Sequence, residues 1–299
     1  MTVYEIITER MLALMEKGTV PWHRPWDSRQ GIPRNLVTNR PYRGVNVFLL
    51  FTVNYANPYW LTYRQALTLG GHVKGGEKGM PIIFWKLAES EESPERDSET
   101  SSGKGRPILR YYTVFNLQQT EGIPAPPVQE KVSQFSPIEA CEQIVSGMPN
   151  RPEISHGHSR ALYRFRLDRI EMPDRQSFHS PEEYYGTLFH ELGHSTGHER
   201  RLARKTLIDA SPSGETNYSR EELVAEMTAT FLCGIAGIAN WTIDNSAAYL
   251  TGWQQKLKSD PRAIVIAAAQ AQKAADYILS ASPADKSAST ETSAETQAA

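Results

Sequence analysis

Cysteine is nearly missing: the 299 residues hold two, Cys141 and Cys233, far apart. That excludes a disulfide scaffold and a cysteine-rich zinc finger, and it fits a reducing compartment. Net charge is nearly missing too, with 32 Lys and Arg against 34 Asp and Glu. A chain this neutral is not held on nucleic acid by bulk charge, so any such contact needs a local patch. No apolar run approaches the ~18 residues of a membrane span, and the N-terminal MTVYEIITERMLALMEKG is amphipathic with acids in it, unlike a signal peptide. What remains is enough chain for two globular domains.

The neutral whole hides an uneven distribution. Residues 1–86 carry eleven Lys and Arg against five acids, an excess of six. The basic residues interleave with aromatics: Trp22-His23-Arg24-Pro25-Trp26, Tyr42-Arg43 and Trp60-Leu61-Thr62-Tyr63-Arg64. Single-stranded nucleic acid calls for this mixture, because flat rings stack on unpaired bases while cations follow phosphates. Lys74 and Lys78 lie in a glycine-rich stretch that would let backbone amides approach phosphate, although the order of a P-loop is absent. The competing reading makes the tryptophans core and the glycines a turn.

Helical spacing predicts a helix over Val3–Lys17, and short apolar segments follow at Val45–Tyr55 (helix or strand) and Leu61–Leu69 (helix). Met80–Lys86 and Leu109–Asn116 are β-rich and should pair across an acidic mobile loop at about 88–106. Residues 122–136 are Pro-rich and read as a spacer between domains 1–121 and 137–280; the tail 281–299 has little to bury and reads as disordered. In the second half, helices are expected near Pro137–Val145, from Ser180, over Ser219–Cys233 and over Ala263–Leu279, with one strand over Ala161–Ile170. Asp168, Ile170 and Met172 on that strand could offer an edge to an extended peptide. The predicted class is α+β in two domains.

The sharpest chemical signal is His190-Glu191-Leu192-Gly193-His194. Residues four apart on a helix share a face, so both imidazoles can reach one ion, with Glu191 directed at its open position as a proton acceptor. A catalytic zinc site needs a third protein ligand. His198 would place three ligands in a line, and position 200, where a longer motif has histidine, is Arg200. That leaves Glu222-Leu223-Val224-Ala225-Glu226, whose two carboxylates share a helix face. This ExxA(D/E) spacing resembles the third-ligand helix of several zincin families, which implies Glu222 as ligand and Glu226 as the residue that orients a histidine, the reverse assignment staying open; Glu221 points elsewhere and fits a solvated face. Two histidines and a carboxylate suit Zn²⁺ with one water. No oxyanion stabiliser stands out among Tyr184, Tyr185, Tyr218, His198 and Tyr249.

The stretches GTVPWHRPW, RNLVTNRPYRGVN, WLTYRQALTLGGHVKGGEKG and YYTVFNLQQTEG, followed by DRIEMPDRQSF, HELGHSTGHERRL, YSREELVAEMTATFLC and AQKAADYIL, resemble ArdC-type antirestriction proteins of conjugative plasmids. The resemblance spans nearly everything except the acidic loop and the tail. It implies a small mixed single-stranded-DNA-binding domain followed by a zincin-like metallopeptidase domain. His190, His194 and Glu222 would be the zinc ligands and Glu191 the catalytic acidic residue. Trp22, Arg24, Trp26, Arg34, Asn35, Tyr42, Arg43, Trp60, Tyr63, Arg64, Lys74 and Lys78 are the candidate DNA contacts. The implied role is to shield incoming plasmid DNA from host restriction in the bacterial cytoplasm. Duplex DNA would bind more weakly, and a host restriction component is a candidate protein substrate. The alternatives are a DNA-activated zinc metallopeptidase acting on a DNA-associated protein, and a metal-stabilised interaction protein without turnover.

Overall fold

The computed structural model describes residues 2–18, 20, 32–53, 55–87, 107–126, 136–205, 215–238 and 247–280. Trp22, Arg24, Trp26, the acidic segment, most of the Pro-rich segment and the tail lie outside them. Helix α1 (Val3–Met15) starts with a capping box, Thr2 and Glu5 each accepting from the other's backbone N–H, and buries Ile7, Met11, Leu12 and Met15.

A four-stranded sheet follows, ordered β1 (Arg34–Asn35), β2 (Tyr59–Thr62), β5 (Pro107–Asn116), β4 (Met80–Leu87). The expected β4–β5 pairing is antiparallel, with Met80 opposite Val114. The ambiguous segment is helix α2 (Val45–Phe51). Every residue from Val45 to Leu50 is buried, which erases the amphipathic period that would have decided it. Asn46 Nδ2 donates to the Ile83 carbonyl at 2.8 Å and its Oδ1 accepts from Ile83 N–H at 2.7 Å. One side chain thus satisfies part of the edge of β4. The expected helix at 61–69 begins later, as α3 (Tyr63–Thr68), because Trp60 and Leu61 complete β2. Short strands β3 (His72–Val73) and β6 (Thr120–Glu121) close the glycine-rich loop.

Beyond helix α4 (Pro137–Gly147), a three-stranded sheet is ordered β7 (Glu153–Ser155), β9 (Arg169–Glu171), β8 (Leu162–Arg164). The single strand expected over Ala161–Ile170 is two strands. A 3₁₀ turn at Phe165–Leu167 and Asp168, at φ 47° in the left-handed region that aspartate tolerates, fold it back on itself. Consequently β9, flanked by Asp168 and Met172, is central and offers no edge; β7 and β8 are the edge strands of this sheet. Helices α5 (Pro181–Ser195), α6 (Glu215–Ala236), α7 (Ala247–Ser259) and α8 (Ala263–Ile278) complete the described chain.

The buried apolar residues from Ile7 to Ile278 form one cluster, so the two halves share a core. Phe48 of α2 stacks on Phe231 of α6 at 4.9 Å, a burial contributing about 1.5–3 kcal/mol per ring. Thr8 Oγ1 donates to Pro261 O at 2.7 Å, and Gly44 N–H to Gln272 Oε1 at 3.0 Å.

Close approach of α5 to α6 positions the site. A Cβ on Gly193 would sit 3.1 Å from Ala225 Cα and 3.2 Å from Thr228 Cβ. Gly193→Ala is therefore expected to push the helices apart and destabilise the protein by about 1–3 kcal/mol, read as a lower thermal midpoint. An unchanged midpoint would contradict the tight helix crossing.

A candidate metal centre

Ser180 caps α5 by accepting from Glu183 N–H at 3.2 Å, and Pro181 occupies the first turn. The Glu183 carboxylate reaches back past the cap and accepts from His179 N–H at 2.8 Å. Two and a half turns beyond Pro181, His190 and His194 project from one face. Their Nε2 atoms are 3.1 Å apart. Glu222, on α6, brings Oε2 to 3.4 Å from His190 Nε2 and Oε1 to 3.4 Å from His194 Nε2.

These three edges can be tested against a metal. Ligands about 2.0–2.1 Å from a tetrahedral zinc lie about 3.3 Å from one another. Each separation is close to that spacing, with the two Glu222 oxygens spanning the histidine pair, and among the described residues these three side chains each offer a ligand atom within 4.8 Å of the others. Burial works against the charge on Glu222, but His190 and His194 more than offset it and hold its pKa well below the usual carboxylate range. Burial likewise opposes a charge on His194, yet Glu221 and Glu222 push its pKa up to about 10. The site concentrates donors and negative charge, which suits a divalent cation.

Glu191 is buried and its Oε2 accepts the backbone N–H of Tyr163 on β8 at 2.7 Å. The edge strand therefore orients the carboxylate next to the ligand pair. Tyr163 is fixed in turn: its hydroxyl donates to Asp168 at 2.7 Å, and Arg201 Nη2 donates to that hydroxyl at 3.0 Å. Arg201, with a side chain 0% exposed, also pairs with Asp168 and donates to the carbonyls of Ser195 at 2.6 Å and Asn150 at 2.9 Å. Sequence reasoning missed this clamp, since Arg201 reads as one of many surface cations.

Glu221 requires a correction. It is 2% exposed rather than solvated, its Oε1 lies 3.7 Å from His194 Nδ1, and Arg204 pairs with it. Glu226 is buried on the same helix. Tyr184 and Tyr185 are packed into the core, and the Tyr185 hydroxyl donates to Glu142, so neither is an oxyanion group; His198 faces Asp168 at 4.0 Å.

The candidate DNA contacts divide sharply. Trp60, at 2% exposure, and Tyr42, at 8%, are core residues and present no ring to a base. Burial drives the Tyr42 pKa up to about 12, against an opposing hydrogen bond with Asn35. Arg43 is paired with Asp276 of α8 and ties the two halves together. Asn35 builds a turn, its Oδ1 accepting from Val37 and Thr38 N–H at 3.0 Å each. Burial thus corrects Trp60 and Tyr42 from surface contacts to core residues, while Asn35 and Arg43 are half-buried and hold structural contacts. Arg34 donates to Asn39 Oδ1 at 3.2 Å on the surface. Tyr63 is 54% exposed, and its neighbour Arg64 is exposed, as are Lys74 and Lys78 in the glycine-rich stretch. Tyr111, 53% exposed on β5, is an outward aromatic that the alternation of a strand could have flagged.

Comparison with known proteins matches both halves. The profile for the N-terminal domain of anti-restriction factor ArdC matches residues 1–115, and the zincin-like metallopeptidase profile matches residues 139–270. The crystal structure of the metal-free antirestriction ArdC protein from the R388 plasmid aligns with a TM-score of 0.74 and 35% identity, covering 93% of this chain and 97% of that one. The chain belongs to the ArdC antirestriction family. The Mn(II)-bound form of the R388 ArdC protein aligns with a TM-score of 0.71 and 34% identity, covering 94% and 98%. In the ArdC family, then, a divalent metal has been seen bound to a relative of this fold. Curated relatives include a DNA primase TraC of Escherichia coli, 37% identical over 92% of this chain and 27% of its own length. Another is the uncharacterized protein y4eC of Sinorhizobium fredii (strain NBRC 101917 / NGR234), 32% identical and matched over 91% of its length. The chain thus spans about a quarter of the TraC protein it matches. Among the described residues, no helix is long and apolar enough to cross a membrane.

Proposed function

We propose that this ArdC-family chain binds single-stranded DNA through its N-terminal half and protects incoming conjugative plasmid DNA from host restriction. Its C-terminal half carries a zinc metallopeptidase centre, and the protein acts in the bacterial cytoplasm. The observation that supports the centre is the convergence of His190, His194 and Glu222, whose two carboxylate oxygens each face one of the imidazole Nε2 atoms, with Glu191 next to His190 on the same helix. Zinc bound there would polarise a peptide carbonyl and acidify a water molecule. Glu191, oriented by the β8 amide, is placed to accept that water's proton. β8 lies at an edge of its sheet, and its outward Tyr163 N–H is held by Glu191.

The DNA reading is supported by the basic excess of residues 1–86 and by the exposed Tyr63, Arg64, Lys74 and Lys78. Domain limits of 1–121 and 137–280 remain our assignment. Fluorescence anisotropy of the whole protein with labelled single-stranded and duplex DNA, across a salt series, tests it. Single strands are expected to bind more tightly, with affinity falling steeply as salt rises. Tyr63→Ala should weaken binding by about 1–3 kcal/mol, or about 5–150-fold. Binding unchanged in Tyr63→Ala and in Arg64→Ala would sink this surface, and absence of binding at low salt would sink the DNA reading.

The second reading, a DNA-activated zinc metallopeptidase cutting a DNA-associated protein such as a restriction component, is favoured by the ordered Glu191 and by the Arg43–Asp276 pair between the halves.

A further inference from the structure

We propose that Glu221 is a positioning residue that holds His194 for metal, with Arg204 fixing Glu221 in turn; this rests on the reading of His190, His194 and Glu222 as a metal centre. The two nitrogens of His194 face different partners. Nε2 faces His190 and Glu222, at 3.1 and 3.4 Å, while Nδ1 faces Glu221 Oε1 at 3.7 Å. At 3.7 Å this is an ion-pair approach rather than a formed hydrogen bond, and a carboxylate so placed favours the proton on Nδ1 and leaves the Nε2 lone pair for the metal.

Glu221 cannot swing away. Arg204 Nε donates to its Oε2 at 3.1 Å and Nη2 pairs with its Oε1. Arg204 is itself buried, with Nη2 donating to the Gly193 carbonyl at 2.9 Å and Nη1 to Thr196 Oγ1. The guanidinium therefore joins the end of α5, which carries His194, to α6, which carries Glu221 and Glu222. A fully buried Arg–Glu pair gives little net stability, because desolvating both charges cancels most of their attraction. Its placement on the Nδ1 side of a ligand histidine is what a positioning role requires.

The test separates positioning from folding. Zinc affinity of the full chain is measured by competition with a chromophoric chelator, and the thermal midpoint of the metal-free protein is measured alongside. Glu221→Ala is expected to weaken zinc binding about 10–100-fold, and also to lower the midpoint by stranding the Arg204 charge. The double variant Glu221→Met with Arg204→Met removes both buried charges. Its midpoint should recover towards wild type while zinc binding stays about 10–100-fold weak. Glu221→Gln keeps the shape and the contact with Arg204 and should fall between, with zinc binding several-fold weaker. Wild-type zinc affinity in the double variant, or in Glu221→Gln should the double variant not fold, would overturn the proposal and leave Glu221 as the counterion of Arg204. A wild-type protein that binds no zinc would instead overturn the metal centre itself.

Discussion

Glu191→Gln is expected to lower hydrolysis of an unstructured protein such as casein by about a hundred- to ten-thousandfold, the contribution of a positioned proton acceptor. Zinc affinity should stay within a few-fold of wild type, because Glu191 is not in the triangle of ligand atoms. The fold should hold as well, since the glutamine carbonyl can still accept the Tyr163 N–H that Glu191 accepts at 2.7 Å. Equal cleavage by variant and wild type would remove Glu191 from the chemistry. The same variant separates the two functional readings. Protection of plasmid DNA that survives Glu191→Gln makes DNA shielding the effector; protection that is lost makes proteolysis the effector.

Arg201→Met is expected to be the most destabilising single change away from the ligands, at about 3–5 kcal/mol, because it leaves Asp168 without its buried partner. The change also frees β8 from the end of α5, so the Tyr163 amide no longer orients Glu191. Stability should therefore depend on pH through Asp168. Burial raises its pKa, but Arg201 and Tyr163 outweigh burial and hold it below the ordinary value. A depressed carboxylate pKa contributes stability that is present above the unfolded value of about 3.9 and is lost as pH falls through the folded value. Wild type should lose this increment in strongly acidic solution, below about pH 4, and Arg201→Met should show a flatter dependence there. Thermal midpoints across acidic pH check both statements; parallel profiles for the two proteins would contradict them.

The cluster of His190, His194 and Glu222 was legible as a candidate because helix geometry is local. Spacing of four residues puts His190 and His194 on one face in any helix, and the same rule singled out the acids of α6. Glu221 was not legible, because its burial depends on Arg204 arriving from 17 residues away along the chain. The fold of 161–170 was misread for a related reason. Alternation described its side chains well, but a left-handed Asp168 held by Arg201 breaks the strand, and that contact is tertiary. Among the aromatics, composition announced a stacking surface without saying which rings face outward. Trp60 and Tyr63 are three residues apart, yet the passage from β2 to α3 buries one and exposes the other. α2 stayed ambiguous because a fully buried helix shows no period.

The most direct test of the metal centre is a calorimetric titration of metal-stripped protein with zinc, on wild type and Glu222→Ala. The geometry predicts one zinc per chain for wild type. Losing a direct ligand should weaken binding by more than the about 10–100-fold seen for outer partners. Wild-type affinity and stoichiometry in Glu222→Ala would contradict the centre described here.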